Sequence, residues 1–367
     1  MPSASSPKPF KQICTLIITT FLVSTLSACA NLGANRIEGE RSNYNVAIQR
    51  TNDQQLLLNL VRLKYRDTPY FLEVSSVAAQ FTLTTSANAS ASVPEGALST
   101  FGFGAGAQMQ EKPTITYSPL QGDKFIQRVL SPISMQTITL LYHSGWRVDR
   151  LFRLCFQRMN RIKNAPGASG PTPGRSPEFE TFTRMASILR TFQKNDMMEL
   201  QYSEENDVPM IIIKLDEDAR ETEDARLLAE LLEVSPVQGR YYLTAVDDPR
   251  YIRVQTRSLL GVMYYLSQGV EVPPDHVDEG KVTVTYNDDG SRFDWQRLTG
   301  TLLRVRHGED FDPNAFAVAI LHRGTWFYID DSDLNSKSTF SLLSQIFSLQ
   351  AGKVPSSAPL LTLPIGQ

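Results

Sequence analysis

The sequence predicts an α+β fold: a helical N-terminal part carrying a long amphipathic β-hairpin, followed by a mixed sheet layered with helices. Three observations predict it. Apolar residues recur at helical spacing within 51–69 and again within 131–163. Between these runs, residues 77–93 and again 101–110, within a hairpin spanning 77–117, alternate apolar and polar with period two, the signature of extended strands. Beyond residue 178 helical and extended runs take turns, and strands then follow one another towards the C-terminus.

The order of elements begins with a leader. Residues 1–12 carry Lys8 and Lys11 and no acid, and an apolar run from Ile13 to Leu26 follows. That run is too short for the ~20 residues of a spanning helix and has the length of a signal-peptide core. It ends in Leu26-Ser27-Ala28-Cys29, which matches the bacterial lipobox: a leucine, two small residues and a cysteine whose thiol takes diacylglycerol. The expectation is a chain cleaved after Ala28 and anchored through diacylglycerol and N-acyl lipid on Cys29; the bland alternative is an ordinary signal peptide or an uncleaved anchor. Ala30 rather than aspartate follows, which in enteric bacteria implies release to the outer membrane, with the protein facing the periplasm. Without an outer membrane, the location is the outer face of the plasma membrane.

Loss of residues 1–28 removes Lys8 and Lys11, so the formal charge moves from −3 to −5. Export and a net negative charge speak against nucleic acid as a partner. Of the three cysteines only Cys29 and Cys155 remain. With Cys29 acylated no disulfide is available, and Cys155 reads as a small buried hydrophobe.

Residues 29–50 are expected to be a lipidated tether. Thr51 and Gln54 have capping-box spacing before Leu56, Leu57, Leu60, Val61 and Leu63, which cluster on one side of a helix that Pro69 ends. The hairpin comes next. Its apolar positions are Val77, Ala79, Phe81, Leu83, Ala87, Ala89 and Ala91, then Phe101, Phe103, Ala105, Ala107 and Met109 after a Pro94-Glu95-Gly96 break. From Gln80 onwards the positions between them are Gln, Thr, Ser, Asn and Gly, and no charge lies between Glu73 and Glu95 or between Glu95 and Glu111. Soluble edge strands normally carry Lys or Glu to prevent edge-to-edge pairing. Uncharged strands of this length suit a transmembrane hairpin contributed to a ring of subunits, because open edges are forbidden in lipid. The alternative is a hairpin packed on its own domain or paired with another protein.

Two helices are expected in 131–163, the first with Ser131 as N-cap, Pro132 at the first helical position and Gly145 at its stop; the second, "VDRLFRLCFQRMNRI", is its antiparallel neighbour. Arg147, Arg150, Arg153, Arg158 and Arg161 on this pair are candidates for a face towards anionic headgroups or an acidic partner, against the plainer reading of a solvated helical face. The run "NAPGASGPTPGRSP", 164–177, reads as a linker between the helical region 51–163 and an α+β domain over 178–367. In that domain helices are expected in "EFETFTRMASILRTFQK", "ETEDARLLAELLEV", "RSLLGVMYYLSQG" and "STFSLLSQIFSLQ". Strands are expected in "MMELQY", "PMIIIKL", "RYYLTAV", "YIRVQT", "KVTVTY", "TLLRVR", "FAVAIL" and "TWFYID".

Chemistry is hard to find. His143, His276, His307 and His322 lack metal-site spacing and read as surface or capping residues. "GFGAGA" satisfies only part of a dinucleotide fingerprint, and there is no Gly-x-Ser-x-Gly elbow. Asp331, Asp333 and Asn335 copy three calcium-loop positions, but Ser336 stands where glycine is needed and Leu342 where the bidentate glutamate belongs. The reading taken is a strand-to-helix connection with Asp333 or Asn335 as N-cap. No catalytic residue, metal site or cofactor beyond the covalent lipid is expected.

The stretches "LLLNLVRLKYRDTPYFLEVSSV", "PLQGDKF" and "RGTWFYIDDSDLNSKSTFSLLSQIFSLQ" resemble an uncharacterised family of bacterial lipoproteins. The resemblance implies a lipoprotein and brings no activity, cofactor or catalytic residue with it. The sequence therefore points to a non-enzymatic envelope lipoprotein, an assembly or channel component forming a homo-oligomer or envelope complex through residues 77–117. The rival is a lipid-tethered periplasmic binding domain or hydrolase.

Overall fold

The computed structural model describes residues 32–92, 100–120, 122–235, 239–309 and 315–351. Its contacts divide the chain at Gln54 into Met1–Gln54 and Gln55–Gln367. In the first unit the described residues are helical, part of α1, Leu32–Lys64. The expected tether is thus helical from Leu32 onwards. Thr51, expected as a cap, lies inside the helix, and its hydroxyl donates back to the Ile48 carbonyl at 2.9 Å.

The second unit begins with the end of α1, where Leu57, Leu60 and Val61 are wholly buried, as their spacing predicts. Strands β1 (Leu72–Ser92) and β2 (Thr100–Pro119) follow and form a two-stranded antiparallel sheet of their own. Helices α2 (Asp123–Leu130), α3 (Met135–His143) and α4 (Val148–Cys155) come next. Ser131 is the C-cap of α2, its N–H bonded to the Gln127 carbonyl. The cap of α3 is Ser134, whose side chain accepts from the Thr137 N–H at 3.1 Å. The start of that helix is therefore three residues later than its Ser-Pro signal suggests, because Pro132 bridges to Ser258 instead.

The expected second helix breaks at Cys155. Phe156–Met159 become β3 and Ile162–Lys163 become β4, joined by Asn160 in a left-handed conformation (φ 47°). Tertiary pairing overrides local preference here: Phe156 stands opposite Thr256, and Met159 opposite Val254, of β8 (Ile252–Thr256). The rest of the sheet is β5 (Met198–Glu205), β6 (Val208–Leu215) and β7 (Arg240–Thr244), in the order β4-β3-β8-β7-β6-β5. Only the β7–β8 pairing is parallel, so the sheet is mixed, as predicted.

Helices α5 (Glu180–Lys194), α6 (Glu217–Arg220), α7 (Glu223–Leu232) and α8 (Leu259–Ser267) alternate with these strands. Two short helices, α9 (Pro274–Asp278) and α10 (Gln296–Thr299), precede a three-stranded sheet. That sheet is β9 (Arg306–Gly308), β10 (Phe316–His322) and β11 (Thr325–Asp330), with β11 central, and α11 (Leu334–Ala351) closes the described chain. The fold is α+β. "KVTVTY" does not form a strand; within it only Tyr286 makes isolated bridges, to Arg175 and Arg292. Of "TLLRVR" only Arg306 enters a strand, because the residues before it turn out of α10.

The Pro/Gly run at 164–177 differs from the expected linker. It lies inside the second unit, where Asn164, Ala165 and Ala168 are buried. The Pro173 carbonyl accepts from Thr285 Oγ1 at 2.8 Å, and the Ser176 N–H donates to the Tyr286 carbonyl at 3.2 Å. One apolar cluster reaches from Leu56 to Ile346 across this run. Gly and Pro supply irregular backbone here, and neighbouring elements satisfy it.

Candidate functional site

The hairpin is built by its register. Directly opposed residues of an antiparallel pair share a face. The ladder pairs Leu83 with Met109, Thr85 with Ala107, Ala87 with Ala105, Ala89 with Phe103 and Ala91 with Phe101. It also pairs Thr84 with Gln108, Ser86 with Gly106, Asn88 with Gly104 and Ser90 with Gly102. The odd-numbered residues of both strands thus fall together, as do the even-numbered ones. A slip of one residue would have mixed the two sets.

Nearer the body, Ser75 is the extra residue of a bulge, between Val74 opposite Tyr117 and Ser76 opposite Thr116. The bulge shifts the phase of β1 by one residue. Val74 and Leu72 therefore join the register face of Val77, Ala79 and Phe81 despite their even numbers. On β1 this register face is apolar from Leu72 to Leu83, while on β2 Glu111, opposite Phe81, interrupts it.

The mount is a pair of amides on α1. Gln55 Oε1 accepts from the Leu72 N–H at 2.7 Å, and its Nε2 donates to the Leu72 carbonyl at 3.0 Å. Asn59 does the same to Tyr70, accepting from its N–H at 2.9 Å and donating to its carbonyl at 2.8 Å. Residues four apart on a helix are about 6 Å apart along its axis, and residues two apart on a strand about 6.7 Å. One turn of helix thus matches one strand repeat, and both side chains imitate a ladder. Phe71 between them packs on Phe125 and Phe347, with ring centroids 5.8 and 5.2 Å away. The sequence spacing Gln55/Asn59 against Tyr70/Leu72 is a signal that periodicity analysis passes over, because it concerns polar residues.

A second polar cluster lies just beyond the end of α1. Tyr65 Oη and His276 Nδ1 are 2.6 Å apart, and the Arg323 guanidinium sits 5.1 Å over the Tyr65 ring. Arg323 also donates to Asp67 at 3.0 Å, and His322 Nε2 lies 3.3 Å from the same carboxylate. Burial pushes the Tyr65 phenol up to about 12 and holds His322 below the usual imidazole value. Lys64, hydrogen-bonded to Gln268 at 3.3 Å, is lowered by burial to about 8. His276 is thus a buried partner of Tyr65 rather than a surface residue, and edge-on rings of His322 and Phe327 complete the packing around Tyr65.

The five candidate arginines do not share a face. Arg150 and Arg153 are buried; Arg150 donates to Asn335, and Arg153 to Thr301 and the Leu298 carbonyl. Arg147 is held by Asp149 at 2.8 Å. Arg158 lies on β3, and Arg161, beyond it, is 3.7 Å from Glu233. A helical wheel drawn through 148–163 groups residues that the helix break separates.

A cavity of about 500 Å³ opens beside β3 and β8, lined among others by Gln157, Arg158, Asn160, Arg253, Gln255 and Ser258. Among the described residues no acid, histidine or cysteine lines it, and Ser258 Oγ is occupied as the N-cap of α8, accepting from the Gly261 N–H at 3.0 Å. Cys155 is buried and its thiol pushed up to about 12 by desolvation, as its reading as a core residue predicts. Asp333 caps α11, accepting from the Ser336 N–H and hydroxyl at 3.0 and 2.7 Å, which is the capping role expected of it. Among the described residues no group of three or more His, Cys, Asp or Glu is placed to hold a metal, and no described helix is long and apolar enough to cross a membrane. Cys29 and the Pro94–Gly96 break lie outside the described residues.

No family model matches the chain, and neither a curated protein nor a solved structure does.

Proposed function

We propose that this chain is a lipid-anchored cell-envelope protein, of the outer membrane and facing the periplasm, that assembles with further subunits through its hairpin. It acts as a component of a channel or assembly and not as an enzyme. The observation that carries this reading is the ladder of β1 and β2. Its strands of 21 and 20 residues form a sheet with no third strand among the described residues. A lone two-stranded ribbon is marginal in water, and a sheet of two strands presents an edge on either side. Such an element gains its stability from what it meets. The clamp by Gln55 and Asn59 supports the same reading, because it ties the ribbon's base to the body and leaves its far end outside the clamp.

Anchoring rests on the lipobox at Leu26–Cys29. Radiolabelled palmitate should enter the wild-type protein, and Cys29→Ser should abolish the label and release the protein from membranes. Unlabelled protein that stays membrane-bound would count against acylation. The rival, a tethered binding domain or hydrolase, is favoured by one observation, the cavity beside β3 and β8. Its lining supplies hydrogen-bonding groups and two arginines but no acid–base pair, so it suits binding better than hydrolysis.

A further inference from the structure

We infer that the distal part of the hairpin, residues 82–92 and 100–110, crosses a lipid bilayer, with the odd-numbered register face in lipid and the near boundary at Glu111 and Lys112. The inference deepens the assembly reading and rests on it, because in lipid the open edges must be closed by further copies of the chain.

Charge sets the boundary. Inward from the last register pair, Ser92–Thr100, the first charged residues are Glu111 and Lys112, opposite Phe81 and Gln80; Glu95 lies beyond that pair. Outward of Glu111 lie eleven consecutive register pairs, from Thr82–Gln110 to Ser92–Thr100, with no ionisable group. At about 3.4 Å per residue that stretch is roughly 37 Å long, and at a tilt of about 45° it rises roughly 26 Å. The apolar band of a transmembrane barrel is about 25 Å tall. The match was not imposed by the hydrophobic pattern of β1, because apolar residues keep its odd positions inward past the charges, at Phe81, Ala79 and Val77.

The order of residue sizes along the odd face agrees. Phe81 stands at the near end and Phe101 at the far end, with Ala87 and Ala105 paired at the centre and Phe103 two pairs beyond it. A strand that packs on its own protein core has its largest side chains where burial is deepest, in the middle. Barrel strands carry aromatic residues at the two interfaces instead. The even face, by contrast, holds Ser86, Asn88 and Ser90 opposite three glycines, and suits a watered interior. Length argues the same way. A compact body of two to three hundred residues has a radius of gyration of about 17–19 Å, hence a diameter of roughly 45–50 Å. The 21 residues of β1 extend roughly 70 Å. No face of such a body is long enough to cover the ribbon.

The test uses the acylated full-length chain in vesicles of phosphatidylethanolamine and phosphatidylglycerol. An environment-sensitive fluorophore is placed on single cysteines at Leu83, Ala87 or Ala105, and at Thr84, Asn88 or Gly104. Lipid-borne nitroxides should quench the odd positions, most deeply at Ala87 and Ala105, and iodide in the water should quench the even ones. Odd positions shielded from both quenchers, or iodide quenching at every position, would overturn the inference. The mass of the detergent-extracted particle judges the assembly separately. A multi-subunit particle with shielded odd positions removes the bilayer and leaves the assembly standing, and a monomer counts against the assembly whatever the probes report.

Discussion

Arg257 is wholly buried, and among the described residues no carboxylate is one of its hydrogen-bonding partners. Its guanidinium donates to the carbonyls of Arg153, Leu154 and Phe156 at 2.8, 3.0 and 2.7 Å, to the Asn164 carbonyl, and to Ser169 at 2.8 Å. It also lies 4.0 Å over the Tyr265 ring. These carbonyls are the orphan acceptors left where α4 ends and the Pro/Gly run begins, so one side chain satisfies the irregular backbone of both. Burial lowers the guanidinium to about 10, which leaves it charged at neutral pH. Arg257→Met should destabilise the protein by at least about 3 kcal/mol, read as a lower denaturant midpoint. Gly269 is a second such position, where an added methyl would meet the Leu303 carbonyl oxygen. Gly269→Ala should cost about 1–3 kcal/mol through overpacking. His322 and Lys64 make stability depend on pH in a calculable direction. Both are depressed by burial, so the unfolded chain binds more protons than the folded one between the shifted and ordinary values. Stability should therefore fall as pH drops through and below 6.5, and His322→Gln should flatten that fall. It should rise as pH climbs from about 8 towards 10, and Lys64→Met should remove that rise. A thermal-melt series across pH checks both signs.

At the scale of elements, the hairpin is aimed by α1. Gln55→Ala with Asn59→Ala removes four hydrogen bonds to the backbone of Tyr70 and Leu72. At about 1 kcal/mol each, roughly 2–4 kcal/mol of local anchoring should be lost. The expected readout is faster amide exchange at Tyr70 and Leu72 with little change in the α3–α8 core; unchanged exchange there would count against the clamp. The two register faces respond differently to charge. Ala89→Arg puts a cation on the odd face near the middle of the uncharged stretch, at a cost of about 2–4 kcal/mol if that face meets lipid. Asn88→Arg puts it on the even face and should cost far less. The measurement is the yield of assembled, membrane-inserted protein for the two variants.

For the whole molecule, the described buried residues of the second unit form an apolar cluster that includes Phe71 at the foot of the hairpin, where it packs on Phe125 and Phe347. Replacing residues 77–115 with a short Gly-Ser turn should therefore leave a cooperative melt close to that of the wild type, while the multi-subunit particle is lost. A body that unfolds on this deletion would show that the ribbon packs on it, contrary to the proposal. Combined with Cys29→Ser, the deletion should give a monomer free of membranes.

The α+β class, most helices and the principal strands were legible in the sequence, because each rests on local periodicity and punctuation that neighbours in the chain supply. The alternation of 77–93 and 101–110, the buried stripe of α1, the core role of Cys155 and the cap at Asp333 belong to the same kind. Tertiary structure decided the rest. The helix through 148–163 gives way to β3 because pairing with β8 and the carbonyl cap from Arg257 both come from residues about a hundred positions away. The Pro/Gly run is drawn into the body for the same reason, and the arginines part company with it. The Tyr65–His276 pair and the amide clamp have no linear signature, since they join polar groups on elements whose contact is non-local. The register of the hairpin stands between the two: alternation prescribes two faces on each strand, but only pairing, with Ser75 bulged out, brings the apolar faces of both strands together.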